Sequence, residues 1–343
     1  MPGSRSRPVS IRDVAERAGV GLGTVSNVLN RPDKVAATTR ERVRQAIDDL
    51  GFVRNDAARQ LRAGRGRTLG LVVLDAANPF FTAVSRGAQD RAAIADLSVL
   101  LGNSDDDATR ESVYLELFEE QRIRGLLLSP VGDASDQLTR LRRRGIPTVL
   151  VDRPAAGSEF SSVSVDDVAG GRVAVGHLLE RGRRRIAFCG GPLRIQQVAD
   201  RWAGARQAIA NTDATLSRIE IDALTVEQGR AAGVRLAALP AAERPDAVFA
   251  ANDLVAVGLL QSLALMDHRL VPGDIALVGY DDIDFATSSV VPLTSVRQPA
   301  ELIGSTAVDL LLSELAATEA GKPVEHQQVV FQPELVVRAS TLG

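Results

Sequence analysis

Apolar residues recur along this chain at two different periods, and the change of period divides it. Through about residue 60 the spacing is helical. Ile11, Val14, Ala15 and Ala18 share one helix face; Val25, Val28 and Leu29 mark a second helix; Val43, Ala46, Ile47 and Leu50 mark a third, closed by Gly51. Thr38 with Glu41 predicts a capping box where the third helix starts. The run NDAARQL, residues 55–61, is a further helix-like stretch, too short to stand alone in water, and RAGRGRT after it reads as a linker. From Leu69 the period changes. Apolar runs at 69–75, 97–103, 125–130 and 146–152, then at 184–191, 219–224, 245–253 and 274–282, alternate with helical stretches. Strands that are apolar without alternation belong to parallel sheets covered on both faces. The expected fold is α/β: an all-α N-terminal domain, then two doubly wound parallel-sheet lobes with a cleft between them.

Gly19, Gly21 and Gly23 stand at the joint of the first two helices. Glycine inside a helix costs about 1 kcal/mol relative to alanine. Two short helices joined by a glycine turn form a helix-turn-helix, and glycine tolerates the positive φ that a sharp reversal needs. Val20 fits between the two helices. Thr24, Ser26, Asn27 and Asn30 then make a polar face opposite Val25, Val28 and Leu29. Hydroxyls and amides can read base edges in a major groove. The same pattern also suits an αα-hairpin with a polar surface.

Composition bears on the partner. Residues 1–67 carry fourteen Lys and Arg against seven Asp and Glu, a net +7; the whole chain is −3, which leaves −10 on the remainder. A basic head on an acidic body points to a polyanion for the head. With 343 residues, 45% of them hydrophobic, the chain can bury a large core. Its one cysteine, Cys189, excludes an internal disulfide framework and reads as a small buried apolar residue in a strand. No apolar run approaches the roughly 18 residues that span a bilayer, and the N-terminus lacks the apolar region of a secretory signal, so a cytoplasmic protein with no membrane partner is expected.

The segments SIRDVAERAGVGLGTVSNVLN and TRERVRQAIDDLGF resemble the head of the LacI/GalR transcriptional regulators. NPFF (78–81), GLLL (125–128), VDRP (151–154), ADRWAGAR (199–206), ANDLVAVG (251–258), VGYDD (278–282) and LTSVRQP (293–299) are similar, in order and spacing, to segments of that family. The resemblance runs from about Val9 to Leu342. It implies a helix-turn-helix domain at 1–54, a hinge helix and linker at 55–67, and an effector-binding and dimerisation domain at 68–343, similar to periplasmic binding proteins. The first lobe would comprise 68–166 plus 299–324, the second 167–298 plus 325–343.

The resemblance also assigns roles. DNA contacts fall on Leu22, Gly23, Thr24, Ser26, Asn27, Asn30 and Lys34, and in the hinge on Asn55, Ala58, Arg59 and Leu61. Leu61 would be an apolar wedge in the minor groove. Gly21 replaces the family's usual serine, which removes a phosphate-binding hydroxyl, and Gly23 offers no side chain to a base. Effector contacts fall on Phe80, Phe81, Asp152, Arg153, Arg201, Asn252, Asp281 and Gln298; Asp166 reads equally as a contact or as a helix cap. Carboxylates beside an arginine fork suit a neutral or mildly acidic polyol, and Ile195 argues against a purine. The implied partners are a near-palindromic operator, a sugar or sugar derivative, and a second copy of the chain, a dimer rather than a tetramer because no C-terminal heptad repeat follows RASTLG. No cofactor or metal is implied. A nucleoside, a purine base or a partner protein as co-effector is the alternative.

Other classes fit less well. An enzyme would need a motif; there is no Walker sequence, strand-linked G-x-G-x-x-G, G-x-S-x-G or H-E-x-x-H, and His177, His268 and His326 are far apart. NSDDDAT (103–109) suits a solvated helix N-terminus better than a cation site. A sugar-carrier protein would need export and has no use for a basic head.

Overall fold

The computed structural model describes residues 9–52, 66–132, 135–155, 157, 159–266 and 270–342. The chain forms two units, dividing after residue 65.

The head contains α1 (Ile11–Ala18), α2 (Leu22–Asn30) and α3 (Ala37–Leu50) around a core of Val14, Ala15, Ala18, Val25, Val28, Val43 and Ala46. Gly19 ends α1 at φ 63°, ψ 40°, its N–H bonding back to the carbonyls of Ala15 and Glu16. Val20 packs, partly buried, against the head core. Of the three glycines only Gly19 is left-handed; Gly21 is the extended N-cap of α2, and Gly23 lies within α2 with open space beside it. The capping box expected at Thr38 and Glu41 does not form, because α3 begins at Ala37 with Ala36 as an N-cap that offers no side-chain acceptor. A capping box forms instead at α1. Ser10 Oγ accepts from the Asp13 N–H at 3.4 Å, and Asp13 Oδ2 accepts from the Ser10 N–H at 2.7 Å.

The body holds two six-stranded sheets among the described residues. The first is built from β1 (Thr68–Val73), β2 (Ser98–Asn103), β3 (Gly125–Leu128), β4 (Thr148–Val151), β5 (Ser161–Val165) and β11 (Gln328–Phe331), in the order β11-β5-β4-β3-β1-β2, all parallel. The second takes β6 (Arg185–Cys189), β7 (Thr215–Ile219), β8 (Ala247–Ala250), β9 (Ala276–Asp281), β10 (Thr294–Arg297) and β12 (Glu334–Val336), in the order β12-β10-β9-β8-β6-β7, with β12 alone antiparallel. Alternate residues of each strand feed opposite cores. Leu69, Leu71 and Val73 join one cluster and Val72 the other, as the pleat requires.

Helices cover both faces: α4 (Pro79–Ile94), α5 (Ala108–Glu120), α6 (Ser135–Arg143) and α12 (Ala300–Glu319) in the first lobe; α7 (Asp167–Glu180), α8 (Gln196–Ile209), α9 (Val226–Ala238) and α10 (Asp253–Met266) in the second, with the short α11 (Asp284–Ser288). Three helix pairs cross at reciprocal glycines. A Cβ on Gly87 would meet the Glu301 carbonyl oxygen at 2.0 Å, and one on Gly304 the Val84 oxygen at 2.0 Å; Gly171 and Gly204 stand in the same relation across α7 and α8, Gly229 and Gly258 across α9 and α10. The backbone proximity explains why helices tolerate a residue that costs each about 1 kcal/mol.

Two expectations are corrected, and one buried strand had no apolar run to announce it. Of the run 219–224 only Ile219 lies in a strand. β7 lies at 215–219, an edge strand with no apolar run to announce it, and Ile221 turns into the second lobe's core from the loop that follows. β5, Ser161-Ser-Val-Ser-Val, is buried throughout despite its serines, two of which have engaged hydroxyls: Ser161 Oγ donates to Glu314 Oε1 at 2.5 Å, and Ser162 Oγ accepts from the Ala155 N–H at 3.1 Å. Finally, β11 pairs with β5, so residues 328–331 belong to the first lobe, and the chain crosses between lobes for the third time at 332–333 rather than near 324.

Candidate functional site

The head's candidate surface is one side of α2. Leu22, Gly23, Asn27 and Asn30 are exposed, as is Lys34 beyond the helix; Thr24 and Ser26 are half-buried. Asn30 Nδ2 donates to the Ser26 carbonyl at 2.9 Å and to its hydroxyl at 3.3 Å, which ties down two of the candidate readers. Asn55, Ala58, Arg59 and Leu61 lie outside the described residues, as does His268.

In the body, two adjoining chambers open between the lobes. The larger, about 500 Å³, is bordered by Pro130, Val131 and Arg153 from the first lobe and by Gln196 and Gln197 from the second. The smaller, about 260 Å³, is bordered by Asp75, Asn78 and Phe81 on one side and by Asp222, Thr225 and Asn252 on the other. Leu74, Asp106, Arg194 and Ile195 border both. Asp75, Asp106, Arg194, Gln197 and Asp222 carry no signal in composition or period; only the rule that such sheets place ligands beyond their strand ends would have pointed there.

The sequence-derived residues separate into two groups. Phe81, Arg153 and Asn252 border the chambers. Asn252 Oδ1 accepts from the Val255 N–H at 3.0 Å, and Arg153 donates to the carbonyls of Pro130 and Gly132. Phe80, Asp152, Arg201, Asp281 and Gln298 do not border them. Phe80 is core, its ring 5.0 Å from that of Phe81 in an edge-on contact. Asp166 caps α7, accepting from the Ala169 N–H at 2.8 Å.

Arg201 is the centre of a buried network. Its Nε donates to Asp167 Oδ1 at 2.8 Å and its Nη1 to the Ala251 carbonyl at 2.7 Å; Asp281 Oδ1 lies 3.8 Å away, and the guanidinium carbon sits 3.7 Å from the Tyr280 ring centroid. Burial alone would weaken its hold on the proton, but Asp167, Tyr280, Asp281 and Asp152 reverse that and strengthen it. Burial pushes the Asp281 carboxyl up to about 6, with Arg201, Gln298 and Asn78 pulling the other way. Asp152 is raised well above the carboxylate range by burial, then by Asp167.

Side chains also cross the cleft. Gln197 Nε2 of α8 donates to the Asp152 carbonyl at 2.6 Å and to its Oδ2 at 2.9 Å, while Asn78, at the start of α4, helps hold the Asp281 carboxyl at the end of β9 down against burial. Gln298, at a crossing, donates to Asp281 Oδ1 at 2.8 Å. Asp152 and Asp281 have φ of 57° and 104°, a region where aspartate is enriched but strained. The two lobes are therefore joined by covalent crossings and by polar latches whose polar partners a ligand could exchange. Cys189 is buried in β6, its thiol pushed up to about 12 by burial, which keeps it unreactive. His177 contacts Thr341 and His326 contacts Glu314, and no cluster of three metal-ligating side chains occurs among the described residues.

Comparison with known proteins agrees with this architecture. Residues 10–55 match the model of bacterial regulatory proteins of the lacI family, and residues 175–341 that of a periplasmic binding protein-like domain. The HTH-type transcriptional repressor PurR of Photobacterium profundum is 31% identical over 96% of this chain and 98% of its own length. A solved complex of the transcriptional regulator CelR with cellobiose is 32% identical, covers 97% of this chain and all of its own, and superposes with a TM-score of 0.69. The lac repressor dimer bound to operator and the anti-inducer ONPF is 27% identical over 98% of this chain and 100% of its own, with a TM-score of 0.80. A basic helix-turn-helix head, two α/β lobes around a polar cleft and similarity along nearly the whole length lead to one conclusion: the chain belongs to the LacI family of DNA-binding transcriptional regulators.

Proposed function

We propose that this protein represses genes of carbohydrate transport or catabolism, and that a small sugar-like effector in the interlobe cleft controls its hold on a near-palindromic operator. In this reading α2 presents Leu22, Gly23, Thr24, Ser26, Asn27 and Asn30 to the major groove, with Lys34 beside it. Asn55, Ala58, Arg59 and Leu61, outside the described residues, add contacts to the DNA. The observation that carries the effector reading is the pair of polar chambers whose walls come from different lobes already latched across the gap. A ligand that bonds both walls alters the lobes' relative position, by no more than its differential affinity for the two arrangements.

A homodimer is supported by the apolar surface around the edge strand β2. Ile94 is 81% exposed, Val113 59%, and Leu100 and Leu101 each 44%. Exposed apolar side chains along a sheet edge are normally covered in a soluble protein.

The test is operator affinity. Duplexes selected from a random pool are titrated by fluorescence anisotropy at moderate salt, with and without a panel of sugars. We expect a palindromic duplex to be preferred by about 10³-fold or more, and one sugar to change that affinity by about 5- to 150-fold. Deleting residues 1–67 abolishes DNA binding and spares sugar binding. Equal affinity for every duplex refutes the reading.

A further inference from the structure

Leu22 is the one large apolar side chain of the described head that stands exposed, at 44%. It opens α2 and takes no part in the head core, although Val20 before it and Val25 after it do. Gly21 and Gly23 flank it, and a Cβ on either would meet nothing within 4 Å. Neither flanking residue carries a side chain that could shield the leucine methyls from whatever approaches the start of the helix.

The rest of the same face is polar and partly engaged with itself. Leu22, Ser26 and Asn30 follow one another at intervals of four, a single row along α2. Asn30 Nδ2 donates to the Ser26 carbonyl at 2.9 Å and to its hydroxyl at 3.3 Å. Thr24 and Ser26 are half-buried, and Gly23 has no side chain to offer. A lone exposed leucine is ordinary on a protein surface. The place of this one is not ordinary, because residues at the N-terminal end of a recognition helix are those that meet base edges.

We propose, resting on the reading that α2 lies in the major groove, that Leu22 selects a thymine in each half-site of the operator by covering its C5-methyl group. Among the groups that base pairs present in that groove, this methyl is the apolar one; the others are the N7, O6 and O4 acceptors and the N6 and N4 amino donors. Leucine has neither donor nor acceptor. Against guanine, cytosine or adenine it would strip water from polar groups and give nothing back. Against thymine it buries methyl on methyl and gains what an apolar contact of that size is worth. Selection is therefore positive, through the methyl, and negative, through the polar groups left unpaired at the other bases. Thymine and uracil differ in this group alone, so exchanging them separates an apolar contact from a hydrogen bond to O4.

The experiment uses the full chain and the duplex selected from the random pool, titrated by fluorescence anisotropy at fixed salt. Each thymine of the half-site is replaced in turn, in both half-sites together, by deoxyuridine and by 5-bromodeoxyuridine. At one position the parent should bind the uracil duplex about tenfold more weakly, two buried methyl groups having gone. The bromouracil duplex should return to within about threefold of the thymine one, because bromine fills the place of the methyl. At that position Leu22→Ala and Leu22→Gln should bind thymine and uracil duplexes within about twofold of each other. Selection repeated with Leu22→Gln should move the position towards adenine, which a glutamine amide pairs in bidentate fashion. Both variants should melt with the parent, since the altered side chain lies outside the head core. The proposal is overturned if no thymine of the parent's half-site responds to uracil by more than twofold, or if Leu22→Ala and Leu22→Gln keep the parent's tenfold difference. In either case a preferred duplex still leaves the groove reading of α2 standing; if the parent prefers no duplex over random DNA, both fall.

Discussion

Arg201 is the residue whose role the structure changes most, and its replacement by alanine is the most informative perturbation. As a ligand contact alone it would be dispensable for folding. Here its guanidinium is held by Asp167 at 2.8 Å, the Ala251 carbonyl at 2.7 Å and the Tyr280 ring at 3.7 Å, and its side chain is 5% exposed against 7% for that of Asp167. Removing one partner of a buried ion pair costs about 3–5 kcal/mol, because the other charge stays buried. The orphaned carbonyl adds about 1–3 kcal/mol, and a desolvated cation–π contact about 2 kcal/mol. These figures share one guanidinium and do not add. Asp281, already pushed up to about 6, relieves part of the excess negative charge by taking a proton. We expect a net loss of about 4 kcal/mol, close to the ion-pair figure.

The assay is urea denaturation followed by fluorescence of Trp202, the chain's single tryptophan, which stands next to Arg201 on α8 with its ring 5.5 Å from that of Phe188. Arg201→Lys, which keeps the charge and loses the fork, should fall between parent and alanine variant. The double variant Arg201→Met, Asp167→Leu should recover much of the loss, since an apolar pair leaves no stranded charge. A loss below about 1 kcal/mol for Arg201→Ala, no more than an exposed pair is worth, would refute the reasoning and return Arg201 to a purely ligand-facing role.

Further expectations follow from the same geometry. In the head, Gly19→Ala forces a Cβ into the left-handed region at φ 63° and should cost about 1–2 kcal/mol, whereas Gly23→Ala, with open space inside α2, should raise the head's melting temperature by the equivalent of about 1 kcal/mol; equal effects would show that the turn does not depend on Gly19. The Asp281 carboxyl holds its proton more tightly folded, at about 6, than unfolded, near 4; its contribution is full below about 4 and is lost as pH rises through about 6. The parent should therefore gain urea resistance relative to Asp281→Asn when pH is lowered from 7.5 to 5.5, and a difference that ignores pH would contradict the assignment. Leu100→Lys, at a position 44% exposed on β2, should raise the dimer dissociation constant at least tenfold in sedimentation equilibrium, since a twofold axis removes the buried leucine twice at about 1.5–3 kcal/mol each; an unchanged constant would place the interface elsewhere.

Local pattern alone determined the alternation of the inner strands with helices and the division into a basic helical head and an acidic α/β body. Helix faces and buried strands have periods of their own, and a short-range period survives in one dimension. Gly19 was legible for the same reason, since a reversal between two helical faces calls for a left-handed residue. β5 escaped because its buried Ser161 and Ser162 are satisfied by Glu314 and Ala155, partners 153 and 7 residues away. β7 escaped because an edge strand has no apolar run.

The cleft was legible only in part. Arg201, Asp152 and Asp281 stand out through resemblance, but their burial and mutual distances exist only once two sheets are stacked side by side. Asp106 looks like its two neighbours in the sequence, and only the folded turn, which partners Asp105 and Asp107 but leaves Asp106 Oδ1 without a hydrogen bond among the described residues, separates it from them. Period records which face is buried; hydrogen-bond satisfaction is a property of three-dimensional neighbours, and it decides which polar residue is left for a ligand.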